Sequence, residues 1–400
     1  MIFKKLITIG LMYGISATAG AGDLKAPEIN MADYRSDLPN LERSTPKLKK
    51  AFIDTAPADR KDGIPVGEID TIKESLQKLA QEIADNQHTP YDSLLIAQNN
   101  KLVFESYYSL GRVNLPHPQA SATKAYTALA IGRAIQLGYL TMADLDKPVI
   151  SFLKGLDKKQ LVKGADLVTL NHAMSMQSGI RIAEEKLDAL LENKEQLTGK
   201  KLAQIYLSYS KPITSDSQTY LYQGSDPMIA MLVLDAVVPG SASDFIKEEL
   251  LEKMGIDIYH WKEAVSGVPQ AGSRAMMTSR SMVKWGTLVL NKGKWNGHQL
   301  IPEAYIAKAT GKVAVPTDDE FDYTNFSYGY FFWRTPLKVG NKKYIAKFGW
   351  GGGGQYVISI EDLDLVIAIT GHRDDDKTLG LIEQRILPAF VSSTLSGTAG

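Results

Sequence analysis

The sequence predicts an α+β fold: an antiparallel sheet built from both ends of the chain, flanked by helices, with a mostly helical lobe inserted between. Three observations carry that prediction. Strand-like apolar runs gather in residues 94–105 and again in 328–370. The stretch from about Asp144 to Ser266 reads as helices and polar loops. Short turn-forming pairs split neighbouring runs at both ends, which marks hairpins and so antiparallel pairing.

The elements follow in order. Lys4 and Lys5 precede an apolar or small stretch, Leu6 to Ala19, that is too short to span a bilayer comfortably. Ala17-Thr18-Ala19 and Ala19-Gly20-Ala21 are small-x-small cleavage sites, so residues 1–21 are expected to be a signal peptide and the protein periplasmic or secreted. Residues 22–66 are polar, rich in Pro, Asp and Lys, and aperiodic, and are expected to form an irregular arm. One domain is expected over 67–400, with a sheet lobe at 67–120 and 270–400 and a helical lobe at 121–269.

Ile69, Ile72, Leu76, Leu79, Ala80 and Ile83 recur at helical spacing. Leu94-Leu95-Ile96-Ala97 and Leu102-Val103-Phe104-Glu105 flank Asn99-Asn100 and predict a hairpin. Ala125 to Leu140 is apolar and rich in small residues, as in a buried helix starting close to Ser121. Tyr328 to Trp333, Tyr344 to Phe348, Gln355 to Ile360 and Leu365 to Thr370 read as strands, and Thr378 to Phe390 as a closing helix.

Composition narrows the function. Of 400 residues, 45 are Lys or Arg and 45 are Asp or Glu, so the formal net charge is zero and nothing favours nucleic acid or an anionic membrane as partner. No cysteine occurs, which excludes disulfides, thiolate metal sites, a cysteine nucleophile and a lipidated cysteine anchor. No Gly-x-Ser-x-Gly elbow, P-loop or dinucleotide fingerprint is present, and the sequence has no His-x-x-x-His or clustered His with carboxylates, so neither a cofactor nor a metal is expected. His117 lies near Ser121 but reads as a surface-loop histidine.

A serine hydroxyl attacks only when a neighbouring base takes its proton. Lysine serves when burial or nearby positive potential holds it neutral. In Ser-x-x-Lys at a helix start both side chains share a face. The motif occurs at Ser44, Ser75, Ser121, Ser151, Ser208 and Ser281. Ser44 is followed by Pro46, Ser75 and Lys78 fall on a solvated helix face, and Ser151 and Ser208 lie among polar ends. Ser281-Met282-Val283-Lys284 is the strongest rival. Only Ser121-Ala122-Thr123-Lys124 opens a fully apolar helix that would keep its lysine dry; the alternative is a helix cap whose lysine reaches water.

Ser121-Ala122-Thr123-Lys124 resembles the Ser-x-x-Lys of serine β-lactamases and penicillin-binding proteins, most of all the class C-like branch of esterases and 6-aminohexanoate-dimer hydrolases. Further segments are similar in order: Leu170 to Gly179, ending in Ser178-Gly179; Gly272-Ser273-Arg274 through Thr278-Ser279-Arg280; Trp295-Asn296-Gly297; and Ile301-Pro302-Glu303. The resemblance covers roughly 70–390. It implies a β-lactamase/penicillin-binding-protein-like fold and a small ester or amide substrate cleaved through an acyl-enzyme on Ser121, with Lys124 as base.

It also implies two further motifs. Tyr222-Gln223-Gly224 stands where the family has Tyr-x-Asn, so Tyr222 would relay a proton to the leaving group, while the contact made by the missing Asn is in doubt. Tyr220 and the pair Ser225-Asp226 are weaker candidates. In Phe348-Gly349-Trp350-Gly351-Gly352-Gly353-Gly354, the amides of Ser121 and Gly352 would form the oxyanion hole, with Trp350, Gly351 and Gly353 against the substrate. Gly349-Trp350-Gly351 replaces the Lys-Thr-Gly that holds a substrate carboxylate in β-lactamases, which favours esters or linear amides. An alternative register, Lys347-Phe348-Gly349, keeps a lysine and with it an acidic substrate.

Overall fold

The computed structural model describes residues 25–32, 44–316, 325–373 and 377–397. The expected signal peptide, 1–21, lies outside them. Eight strands form one antiparallel sheet in the order β1-β3-β2-β13-β12-β11-β10-β9. These are β1 (Phe52–Asp54), β2 (Tyr91–Gln98), β3 (Lys101–Tyr107), β9 (Ser327–Tyr328), β10 (Trp333–Val339), β11 (Lys342–Gly351), β12 (Gln355–Ile360) and β13 (Leu365–Gly371). The first three come from the start of the chain and the last five from its end, and they meet where β13 pairs with β2, Ile367 opposite Ile96.

Most residues of β2, β12 and β13 are buried on both faces, so these strands read as continuous apolar runs without alternation. Asn99 (φ 50°) and Asn100 (φ 62°) adopt the left-handed conformation at the tip of the β2–β3 hairpin, as that turn requires. A second sheet, β4-β6-β5, joins β4 (His117–Pro118), β6 (Ala275–Met277) and β5 (Tyr259–Trp261), and a small hairpin joins β7 (Lys294–Trp295) to β8 (His298–Gln299).

Six helices frame the sheet and the site: α1 (Lys73–Ala84), α2 (Thr123–Gln136), α3 (Leu170–Met174), α4 (Ser225–Val237), α5 (Ser279–Leu290) and α6 (Leu387–Gly397). The amphipathic α1 buries Leu76, Leu79, Ala80 and Ile83, the positions its spacing singles out. α5 packs across β2, β12 and β13. α2 packs between α4 and β11 and has buried residues on every side, which explains its largely apolar, small-residue-rich sequence. Among the described residues no single helix is long and apolar enough to cross a membrane.

Two expectations need correction. The 22–66 arm is not wholly irregular: Phe52–Asp54 pair with Tyr107, Ser106 and Glu105 as an edge strand, and Val66 bridges Leu102. Three residues are too few to register as a periodic pattern. The single strand expected over 328–333 is interrupted between β9 and β10. There Tyr330 N–H donates to the Ala309 carbonyl and Phe331 N–H, at φ 60°, to the Met174 carbonyl. Aromatic residues favour strands by packing, and here the packing partners are helices.

Candidate active site

Ser121 sits in a 3-10 turn, Ala120–Ala122, that leads directly into α2. Ala120 has φ +43°, a left-handed conformation that costs a non-glycine residue about 1–3 kcal/mol. Gln119 holds this turn. Its N–H donates to the Ala275 carbonyl (2.8 Å), its side-chain amide donates to the His117 carbonyl (2.9 Å), and its Oε1 accepts from the Tyr126 hydroxyl (2.7 Å). Thr127 Oγ1 donates to the Ala271 carbonyl (2.9 Å), tying the first turns of α2 to segment 271–275.

Lys124, one turn on, is buried. Its Nζ lies 2.9 Å from Ser121 Oγ and 2.9 Å from the Gly272 carbonyl. Burial lowers its pKa to about 8. With the amine neutral, Nζ can keep its bond to Gly272 and accept the Ser121 proton along the same contact.

Tyr222 completes the cluster. Its ring lies 4.6 Å from Lys124 Nζ. Although 37% of the residue is exposed, burial is the largest influence on the hydroxyl and pushes its pKa up to about 12, with the nearby Ser121 acting in the opposite direction. The phenol is therefore a proton donor throughout the ordinary pH range.

The loop carrying Tyr222 is fastened from below. Asp226, in the first turn of α4, is fully buried and accepts from Ser178 Oγ (2.7 Å), Gln223 Nε2 (2.7 Å) and Ser225 Oγ (3.1 Å). Burial raises its pKa to about 6 in spite of those bonds. Gln223 thus faces the interior and does not take over the role of the missing Asn. At Gly224, where that Asn would stand, a Cβ would meet open space. Tyr220 packs edge-on against Tyr328 (5.4 Å), and Ser225-Asp226 serve the loop, not the serine.

β11 brings the glycine run against the turn that carries Ser121. A Cβ on Gly351 would lie 2.1 Å from the Gln119 carbonyl oxygen and 3.1 Å from Ala122 N, so only glycine fits. A Cβ on Gly352 would meet nothing, as expected of a residue facing a cleft. Gly353 and Gly354 (both φ 91°) turn the chain into β12. The β10–β11 ladder ends at Trp333–Phe348, while Gly349, Trp350 and Gly351 pair with Val357, Tyr356 and Gln355 of β12. Trp350, partly buried, stacks on Tyr356 (5.9 Å) and meets Trp333 edge-on (5.6 Å), while Trp333 lies 5.9 Å from Tyr222. An aromatic wall thus runs from the tyrosine to the glycine strand.

The rival readings come apart. Lys284 Nζ donates to the Gly255 carbonyl (2.6 Å) and Ser281 bonds Thr278, so that pair does not meet. Lys347 pairs with Glu361, so in its alternative register the lysine is already engaged with a carboxylate. His117 is not a surface-loop residue: it is buried in β4, with its Nε2 3.2 Å from the Gly371 carbonyl. The sequence reading also missed Gly272 as the carbonyl partner of Lys124 and Gln119 as the brace, and it marked Asp226 only within the candidate pair Ser225-Asp226, not as the loop anchor. Gly272 was legible only as part of a turn, and Gln119 had no motif to mark it.

The model of the family described as Beta-lactamase matches residues 76–387. Among curated proteins no sequence match was found. A Bacillus anthracis protein described as a candidate 6-aminohexanoate-dimer hydrolase is similar in structure, with TM-score 0.62, 17% identity and coverage of 93% of this chain and 97% of that one. A family VIII carboxylesterase gives TM-score 0.60 at 15% identity, covering 85% and 99%. A penicillin-binding protein homologue from Caulobacter crescentus gives 0.60 at 17%, covering 80% and 98%.

Proposed function

Because the chain belongs to the Beta-lactamase family, we propose that it is a serine hydrolase that cleaves an ester or linear amide through an acyl-enzyme on Ser121. The observation that carries this reading is the 2.9 Å contact between Ser121 Oγ and a buried Lys124 amine whose pKa is lowered to about 8. Lys124 takes the hydroxyl proton as Oγ bonds to the carbonyl carbon. The amides of Ser121 and Gly352 stabilise the oxyanion. The Tyr222 hydroxyl gives its proton to the departing alkoxide or amine and is reprotonated from Lys124. Water then attacks the ester by the reverse relay, releasing the acid and restoring the serine.

Two features favour esters or linear amides over β-lactams. Gly349 and Trp350 stand where a carboxylate clamp would be, and Lys347 is engaged with Glu361. The wall of Tyr222, Trp333 and Trp350 suits an apolar acyl or leaving group. A small-molecule substrate is therefore proposed, for a protein acting after export without a membrane anchor.

The test is a fluorophosphonate, with intact-mass and peptide analysis. One adduct on Ser121, absent from Ser121→Ala, is expected. A chain that stays unlabelled is instead a ligand-binding module of the same fold. Parallel assays on p-nitrophenyl esters, nitrocefin and a linear amide oligomer then separate esterase, β-lactamase and amidase; turnover of nitrocefin alone would overturn the substrate assignment.

A further inference from the structure

Two histidines and an aspartate that are far apart in the sequence meet behind the glycine turn. Asp92 belongs to β2, His117 to β4, and His372 follows the last residue of β13. Asp92 and His117 are both 3% exposed. Asp92 Oδ1 accepts from Leu110 N–H (2.9 Å), which leaves Oδ2 to the two rings. Oδ2 lies 2.5 Å from His372 Nδ1 and 4.0 Å from His117 Nε2, and the two rings meet edge-on at 4.6 Å. One donor atom from each residue falls within 4.8 Å of the others.

We propose that Asp92, His117 and His372 form a binding site for a divalent transition-metal ion of the Zn²⁺ type. Two imidazoles and one carboxylate are borderline donors that suit Zn²⁺, Co²⁺ or Ni²⁺ better than Mg²⁺ or Ca²⁺. Bonds of about 2.0–2.1 Å in a tetrahedron put donor atoms roughly 3.3 Å apart, and the observed separations bracket that value. Two ligands are fixed by sheets. The third, His372, has a side chain 43% exposed at a strand end, so it can adjust and gives the ion a path from solvent. The fourth position goes to water. On binding, His117 Nε2 exchanges the Gly371 carbonyl for the ion, and the His372–Asp92 contact opens around it. Arg112, a cation close enough to sense Asp92, donates instead to the carbonyls of Pro46, Ser109 and Gly111, so the carboxylate is not committed to it.

The position gives the ion a consequence. Arg373 N–H donates to the Gly353 carbonyl (3.2 Å), and Gln355 Nε2 donates to the Gly371 carbonyl (2.6 Å). His117 is four residues before Ser121. An ion there would fasten the chain ends that support the glycine turn and the nucleophile turn, without touching substrate.

The experiment uses untagged full-length mature protein, stripped with chelator and titrated with Zn²⁺ by calorimetry, with Co²⁺ as an absorbing substitute. One equivalent per chain is expected, with visible Co²⁺ bands of tetrahedral type and a raised Tm. His372→Ala, at an exposed strand end, should keep its fold by circular dichroism and lose at least the 10–100-fold in affinity typical even of outer-sphere changes. Absence of a bound equivalent, or equal binding by folded His372→Ala, overturns the site. Fluorophosphonate labelling of Ser121 reads a different property, so failure of one assignment is distinguishable from failure of the other.

Discussion

Lys124 has one buried amine and two assigned contacts, and its pKa, lowered to about 8 by burial, sets a pH dependence. In the proposed mechanism the neutral amine is the base, so kcat/KM should rise with pH through about 8 and then level. Tyr222, raised to about 12, stays protonated and adds no falling limb below that. A rate profile on a p-nitrophenyl ester, corrected for spontaneous hydrolysis, checks this. A bell centred near neutrality would point to another base. Lys124→Arg and Tyr222→Phe should each lower kcat by about 10²–10⁴ while the fold is kept. Lys284 gives the contrast: its motif is the same Ser-x-x-Lys, but its amine bonds a backbone carbonyl and never reaches its serine. The motif was legible at both places; which lysine meets its hydroxyl depends on the segment packed above it.

At the scale of an element, the glycine hairpin and the tyrosine loop make opposite demands. Gly351→Ala puts a Cβ into the Gln119 carbonyl, so it should displace the nucleophile turn, lower Tm and cost more than about 10²-fold in activity. Gly352→Ala faces open space and should stay within about 0.5 kcal/mol of the parent by urea unfolding. If the two behave alike, β11 does not abut the serine as described. The tyrosine loop depends on Asp226, whose pKa is raised to about 6 in the folded chain from about 3.9 unfolded. Its contribution to stability is fully present below about 3.9 and is lost as pH rises through 6. Asp226→Asn keeps an acceptor for Ser178 and Gln223 but cannot ionise. The Tm of the variant relative to the parent should therefore climb between pH 4 and 7, a trend that differential scanning calorimetry would detect. The turn was legible along the sequence by its glycines, but the register that sets Gly351 on Gln119 was not.

Across the whole molecule, a buried ion cluster joins the arm, the sheet and α5. Arg280 donates through Nε to Asp62 (2.7 Å) and through Nη1 to Glu105 (2.8 Å), and the Tyr107 hydroxyl donates to Glu105 (2.6 Å). Glu105 is 2% exposed, and burial pushes its carboxyl up while Arg280 pulls it down. Removing the arginine leaves that carboxylate uncompensated, at a cost of about 3–5 kcal/mol. Arg280→Met should lose that much by urea unfolding, and Glu105→Gln added to it should recover a part. Equal stability of the single and double variants would mean that the cluster is not coupled.

Local chemistry decided much from sequence alone. Period-3.6 and turn signals identified α1 and the Asn99-Asn100 hairpin, and Ser121-Ala122-Thr123-Lys124 opening an apolar helix made Ser121 the candidate nucleophile, a choice the family resemblance strengthened. These depend on residues a few positions apart, whose geometry the backbone imposes wherever the chain goes. Tertiary structure alone decided that β13 lies against β2, that Gly272 receives the Lys124 amine, that Asp226 anchors the tyrosine loop, and that Asp92, His117 and His372 share one place. Each joins residues from tens to hundreds of positions apart. Such contacts follow from how whole layers pack, and no short-range spacing encodes them.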